Sequence, residues 1–270
     1  MKGGEKIMTE RTIPKEAHKK GLAIFDLLRR VNIDGSLAQD REWPPRTIIK
    51  SWHNEGSIAE NNITKAVAMG VPIPLVGFWG VGDKTTPDNH DEGFLRQLQT
   101  LSTSVSQVYG PGMEFILLLA DGHALFNGYS HAHEYLGQVG YLAGQLGILT
   151  RMLSDLYEEW GIVLPSAHDP IDTSSSALYG IWNREKYTRQ KAQLIESAAR
   201  HHRNGASSEQ AAYWYYVMRE QEKEPLSTAF SSALLFANTG PDLGGWLLPK
   251  HTMPILYMQT KPPWFQNGNH

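Results

Sequence analysis

Cysteine is absent from all 270 residues, so disulfides, thiolate nucleophiles and cysteine-ligated zinc are excluded. No apolar run approaches the roughly 20 residues needed to cross a bilayer. The opening stretch "MKGGEKIMTERTIPKEAHKK" is charged throughout and lacks the apolar core of a signal peptide. Neither sign of charge dominates: 25 Lys and Arg stand against 28 Asp and Glu, a formal net charge of -3. That balance gives no electrostatic basis for a broad nucleic-acid footprint. Repeats and low-complexity segments are also missing. What is there is ordinary for a soluble globular protein, 41% hydrophobic and 20% charged. We therefore expect a cytoplasmic protein with no membrane partner. A polar tail over 1–20 would precede a single α/β catalytic domain over 21–270.

Periodicity sets out the elements. "EAHKKGLAIFDLLRRV" carries a helical stripe at Leu22, Phe25, Leu27 and Leu28. Residues 34–56 are turn-rich, with Pro44 and Pro45 interrupting any helix. "ENNITKAVAMG" reads as a helix ending at Gly70, and "IPLVGFW" as a strand. "EGFLRQLQTLSTSVSQVYG" is amphipathic, with Phe94, Leu98, Leu101, Val105 and Val108 on one face. "PGMEFILLLADG" supplies a turn and a second continuous apolar strand. Strands apolar on both faces and separated by a helix require a parallel sheet covered on both sides. Residues 131–161 are expected to form a long helix broken near its glycines, followed by a short strand at "IVLPSA". Two more helices are expected at 183–205 and 207–224, then an extended hairpin or closing strand over 244–265. The fold class is α/β, Rossmann-like, mostly parallel, with helices on both faces and a helical C-terminal part.

Ligands of open α/β sheets sit at the carboxyl ends of the strands, where strand order reverses. Two loops fall at such ends. In "GFWGVGDKTT", Gly77, Gly80 and Gly82 precede Lys84, Thr85 and Thr86. Backbone amides and a lysine can hold a phosphate or carboxylate, although the spacing fits neither the P-loop nor the dinucleotide fingerprint. The alternative is a flexible turn with a solvated lysine. In "ADGHALFNGYSHAH", Asp121 can orient an amine or act as a base, and His123 can move protons near neutral pH. Asp121 with His123, His131 and His133 is also a donor set suited to zinc or iron. Turn residues and surface histidines are the plain alternative, and no cofactor is assigned. Trp246, Tyr257, Trp264 and Phe265 could line a pocket, and "AARHHRNG" brings His201, His202 and Arg203 to a helix end.

These residues point to relatives. "YGPGMEFILLLADGHALFNG" resembles the isocyanide (isonitrile) synthase family of pyoverdine-type and dityrosine-type pathways, through Tyr109, Pro111, Gly112, Asp121, Gly122 and His123. Ala120 stands where that family has serine, and "KPPWF" echoes its C-terminal motif at Pro263 and Trp264. The resemblance implies an enzyme that joins an amino acid nitrogen to a carbon of ribulose 5-phosphate. It assigns Lys84 to the sugar phosphate, as a binder or an imine-forming amine. Asp121 and His123 would orient the amino acid and move protons. Asn127 would fix its polar end, with Gly80, Gly82, Thr85 and Trp264 around the substrate. A second segment, "YYVMRE", resembles the Y-x-x-x-E element of cyclodipeptide synthases. It implies an aminoacyl-tRNA substrate whose amino group is held by Tyr216 and Glu220. That family's nucleophilic serine is missing, and its basic helix has only Arg151 here. A binding protein that kept the fold and lost the chemistry is the third expectation.

Overall fold

The computed structural model describes residues 13–28, 56–171, 173, 176–238, 241–257 and 262–265. Most of the expected polar tail and of the turn-rich stretch 34–56 lies outside these residues. The described elements run α1 (Lys15–Leu28), α2 (Gly56–Met69), β1 (Ile73–Trp79), α3 (Asn89–Val108), β2 (Met113–Leu119), α4 (Asp121–Asn127), α5 (Ala132–Gln145) and β3 (Leu149–Met152). They continue with α6 (Leu153–Trp160), α7 (Ala177–Trp182), α8 (Thr188–His201), α9 (Ser208–Ala229), β4 (Leu234–Ala237), α10 (Pro241–Leu247) and β5 (Ile255–Tyr257).

All five strands are parallel, in the order β3-β2-β1-β4-β5. The α/β, Rossmann-like class expected from the sequence is the one observed. Alternate strand residues serve opposite faces. Ile73, Leu75, Phe115, Leu117 and Phe236 join the core under α1, α2, α3 and α5. Val76, Leu118, Leu235 and Ile255 join a second core with Leu153, Leu156 and Tyr157 of α6 and Leu226 of α9. A third, aromatic core centres on Trp182, Tyr213, Tyr216 and Trp246, where α7, α8, α9 and α10 meet. Burial on both faces is why β1, and β2 from Phe115 onward, read as unbroken apolar runs.

Two expectations are corrected. The expected long helix over 131–161 is α5, β3 and α6, because Gly147 takes φ 72 and turns the chain back into the sheet. No strand forms at "IVLPSA". Of the two forms expected for the C-terminal stretch, the closing strand is the one observed: β5 ends the sheet, parallel to β4, which the sequence pattern did not announce. Likewise, the helix expected over 207–224 is α9, which runs on through Pro225 to Ala229.

Strand order reverses between β1, which leads outward to β2 and β3, and β4, which lies on the other side of β1. The crevice there opens on the residues after β1 and β4. Gly77 is what lets these two strands meet, since a Cβ there would lie 2.1 Å from the Phe236 ring of its β4 partner. Gly77→Ala is therefore expected to lower unfolding stability by about 1–3 kcal/mol. Urea denaturation measures this, and an unchanged midpoint would contradict the packing.

Candidate active site

A cavity of about 340 Å³ lies at this crevice, at the small end of the roughly 300–1,000 Å³ usual for small-molecule sites. Phe78, Gly80 and Val81 bound it from the end of β1, and Ala120, His123 and Asn127 from the end of β2 and α4. Tyr215 and Arg219 of α9, Asn238 after β4, and Trp264 near the C-terminus close it. His201, at the end of α8, also faces it and stacks on Phe265, with ring centroids 4.4 Å apart. Most of the wall is apolar. Two lining residues, Tyr129 and Asn238, carry buried oxygens, Oη and Oδ1, that have no hydrogen-bond partner among the described residues. A buried polar atom left unpaired costs about 1–3 kcal/mol, so a molecule that bonds to both would be favoured there.

Behind the wall is a buried polar network. His123 Nε2 lies 2.7 Å from Glu222 Oε1 and 3.0 Å from Arg219 Nη1. Arg219 pairs with Glu222 Oε2, and the Tyr157 hydroxyl donates to Glu222 Oε1. The Phe78 ring stacks on His123 at 5.6 Å, with the Arg219 guanidinium 4.3 Å from its centroid. Burial alone would raise the Glu222 carboxyl. Arg219, His123 and Tyr157 together outweigh it and hold the carboxyl below its usual range. For His123, burial pushes the ring below its ordinary value, and the pull of Glu222 does not overcome it. The result is an ionised carboxylate behind a neutral imidazole. That pairing suits a general base.

The motif at the end of β2 divides its labour among three residues. Asp121 accepts from Ser154 N at 2.9 Å and from the Ser154 hydroxyl, so it anchors the start of α6. Gly122 admits the Tyr157 ring, since a Cβ would lie 2.6 Å from it. Only His123 reaches the cavity. Tyr109, from the same motif, serves elsewhere and donates to Val71 O at 2.7 Å. Asn127 lines the cavity, and its backbone carbonyl accepts from Arg203 N at 2.8 Å.

The loop after β1 departs from its expected role. Lys84 Nζ lies 2.6 Å from Asp88 Oδ1 and 2.8 Å from Asp91 Oδ2, and it does not line the cavity. Asp88 and Asp91 form a capping box at the start of α3, which this lysine neutralises. Asp91 also accepts from Tyr135 Oη at 2.6 Å, and Trp79 Nε1 donates to that oxygen at 3.3 Å. Gly80 does line the cavity, but what it admits is the Trp264 indole, 2.7 Å from where a Cβ would sit. Gly82 similarly admits the Trp264 backbone, and Thr85 is exposed outside the lining.

The Y-x-x-x-E pair is displaced by helical register. Tyr216 packs in the aromatic core, 4.7 Å from Trp246, and Glu220 pairs with Lys223. The neighbouring face of α9 presents Tyr215 and Arg219, one turn apart, to the cavity, with Glu222 behind. Sequence reasoning missed these three. The signal was an arginine and a glutamate placed on the stripe Ala212, Tyr215, Arg219, Glu222, Leu226, where helical spacing calls for apolar residues. The histidines are also dispersed. His131 Nε2 meets Gly82 O at 3.0 Å and His133 is exposed. Among the described residues no three His, Asp or Glu side chains are grouped to hold a metal ion.

No family model matches the chain, and no curated protein matches it by sequence. Among solved structures, the chain is similar to the PvcA protein from Pseudomonas aeruginosa. The TM-score is 0.59 at 14% identity, over 92% of this chain and 87% of that one. This likeness establishes the fold.

The charge states give a pH dependence with one sign. His123, His201 and His202 are held below the ordinary histidine value of 6.5, first by burial, so the unfolded chain binds protons there that the folded chain does not. Glu222 is held below the ordinary 4.5 and acts in the same direction further down. Stability is therefore expected to be full above pH ~6.5 and to fall as pH drops, more steeply below ~4.5. Urea unfolding at several pH values measures this, and stability that rises between pH 7 and pH 5 would contradict it.

Proposed function

We propose that this chain is a biosynthetic enzyme of isonitrile-synthase type, acting on an amino acid in the cavity at the β1/β4 crevice. The observation that carries the reading is His123. It is a neutral imidazole backed by an ionised Glu222, at the mouth of β2, in the sequence motif that resembles the family. The fold shared with the PvcA protein from Pseudomonas aeruginosa supports it.

In this reading the amino acid's side chain packs among Phe78, Phe236 and Trp264, and its amino group donates to Asn238 Oδ1. Tyr129 Oη and Asn127 meet its remaining polar groups. His123 takes a proton from the amino group as nitrogen attacks the carbonyl carbon of a sugar-phosphate donor such as ribulose 5-phosphate; the C=O π pair moves to oxygen, which receives the proton back to give a carbinolamine. Lys84 is not given the imine role. Its ammonium is committed to Asp88 and Asp91, and it acts on the reaction only by keeping the loop after β1 in place.

Incubation with single amino acids and ribulose 5-phosphate, with infrared detection of the isonitrile stretch, tests the activity. His123→Gln is expected to lower turnover about 10²–10⁴-fold while the protein stays folded. Lys84→Met is expected to lower stability by about 3 kcal/mol, since a buried partner loses its counter-charge, yet to keep turnover per folded molecule. The opposite ranking of the two variants would overturn the assignment.

A further inference from the structure

We propose that Glu222 is a positioning residue that fixes His123 as the Nε2–H tautomer, so that Nδ1 is the nitrogen offered to the cavity. The inference deepens the reading above and rests on it for the catalytic consequence. The tautomer itself follows from the geometry alone.

His123 Nε2 has two close neighbours of opposite character, the Glu222 Oε1 acceptor at 2.7 Å and the Arg219 Nη1 donor at 3.0 Å. If Nε2 lacked a proton, its lone pair would face a carboxylate oxygen at 2.7 Å with no hydrogen between them. A carboxylate has no proton to redirect, so that repulsion could not be relieved. If Nε2 carries the proton, the close approach is instead between two donors at 3.0 Å. Arg219 keeps its ion pair with Glu222 in either case, so the shorter contact, from the ring to the ionised carboxylate at 2.7 Å, decides where the proton sits. The carboxylate then takes hydrogen bonds from Tyr157 and His123 and an ion pair from Arg219, groups on three different helices.

The charged and titratable groups that face the ring are few. Arg219, Glu222 and Tyr215 face it from α9, and Asp121 acts from its own helix. Tyr157 of α6 reaches it through Glu222. Arg219 and Glu222 cancel each other's charge, which leaves the imidazole neutral at rest. During proton transfer the substrate N–H bond breaks and its electron pair stays on nitrogen. The proton goes to Nδ1, and the imidazolium so formed keeps its Nε2–H bond to the ionised carboxylate. A hydrogen-bonded acid behind a base also holds its orientation, the role carboxylates play behind catalytic histidines generally. Glu222 touches no substrate in this scheme and acts only through His123.

The test is ¹⁵N-detected histidine NMR of the substrate-free protein near neutral pH. Nitrogen shifts and couplings to the ring hydrogens distinguish the two neutral tautomers from imidazolium. The expected result is the Nε2–H form for His123 in the native chain and loss of that single form in Glu222→Gln. Should Glu222→Gln fail to fold, Tyr157→Phe keeps the carboxylate and is expected to keep the tautomer. A native His123 in the Nδ1–H or imidazolium form would overturn the proposal. So would a Glu222→Gln protein with an unchanged His123 spectrum. In turnover assays, His123→Gln and Glu222→Gln should both lower kcat, with Glu222→Gln also shifting the acid limb of its pH profile. A proven tautomer with no isonitrile formed would refute the proposed reaction and leave the tautomer assignment standing.

Discussion

Glu222 is a carboxylate removed from water, and the C-terminal end of the sheet is organised around keeping it there. A buried charge is tolerated only when it is paired and its remaining lone pairs are bonded. Arg219 supplies the charge from one turn away on α9, Tyr157 supplies a hydroxyl from α6, and His123 supplies a ring N–H from α4. Those three helices come from separate parts of the chain. The carboxylate therefore fixes where α9 crosses the strand ends, and with it the wall of the cavity. Phe78, at the end of β1, lies against both His123 and Arg219 and ties the same network to the sheet.

The molecule holds a second buried ionic cluster, of Lys84, Asp88, Asp91 and Tyr135. The two clusters differ in what they can do. The lysine set closes on itself: Lys84 bridges both carboxylates, which also accept backbone N–H groups at the start of α3, and the tyrosine ties helix α5 to the same place. Burial and Asp91 hold the Tyr135 hydroxyl well above the usual phenol range, so it acts as a fixed donor. The glutamate set instead ends in an imidazole that forms part of a cavity wall. Exposure to the cavity, more than the presence of charge, separates the candidate catalytic cluster from the structural one.

Much of this was legible in the sequence, and the reasons for the rest are physical. β1, β2 and α3 announced themselves because both faces of the central strands are apolar and α3 buries one stripe. β3 was hidden because it is an edge strand of four residues whose side chains are exposed or half-buried. β4, with only Leu234–Ala237, is too short to separate from a helix turn by periodicity. At the site, the placement of His123 and Asn127 at the cavity was foreseeable from a strand that ends in polar residues. That of Tyr215 and Arg219, with Glu222 behind them, was not, since α9 is polar or aromatic on several sides and its register is set by tertiary packing. Lys84 was misleading for the opposite reason. A lysine after a glycine-rich turn looks available, and only the fold brings the buried Asp91 beneath it.

The central claim is that chemistry takes place in the cavity against His123. A crystal structure of the protein with a turned-over amino acid bound tests it most directly. The account predicts density for that molecule between Phe78, His123 and Trp264, with a nitrogen or oxygen within hydrogen-bond distance of His123 Nδ1. Density seated instead on Lys84, with the Asp88 and Asp91 pairs broken, would contradict it.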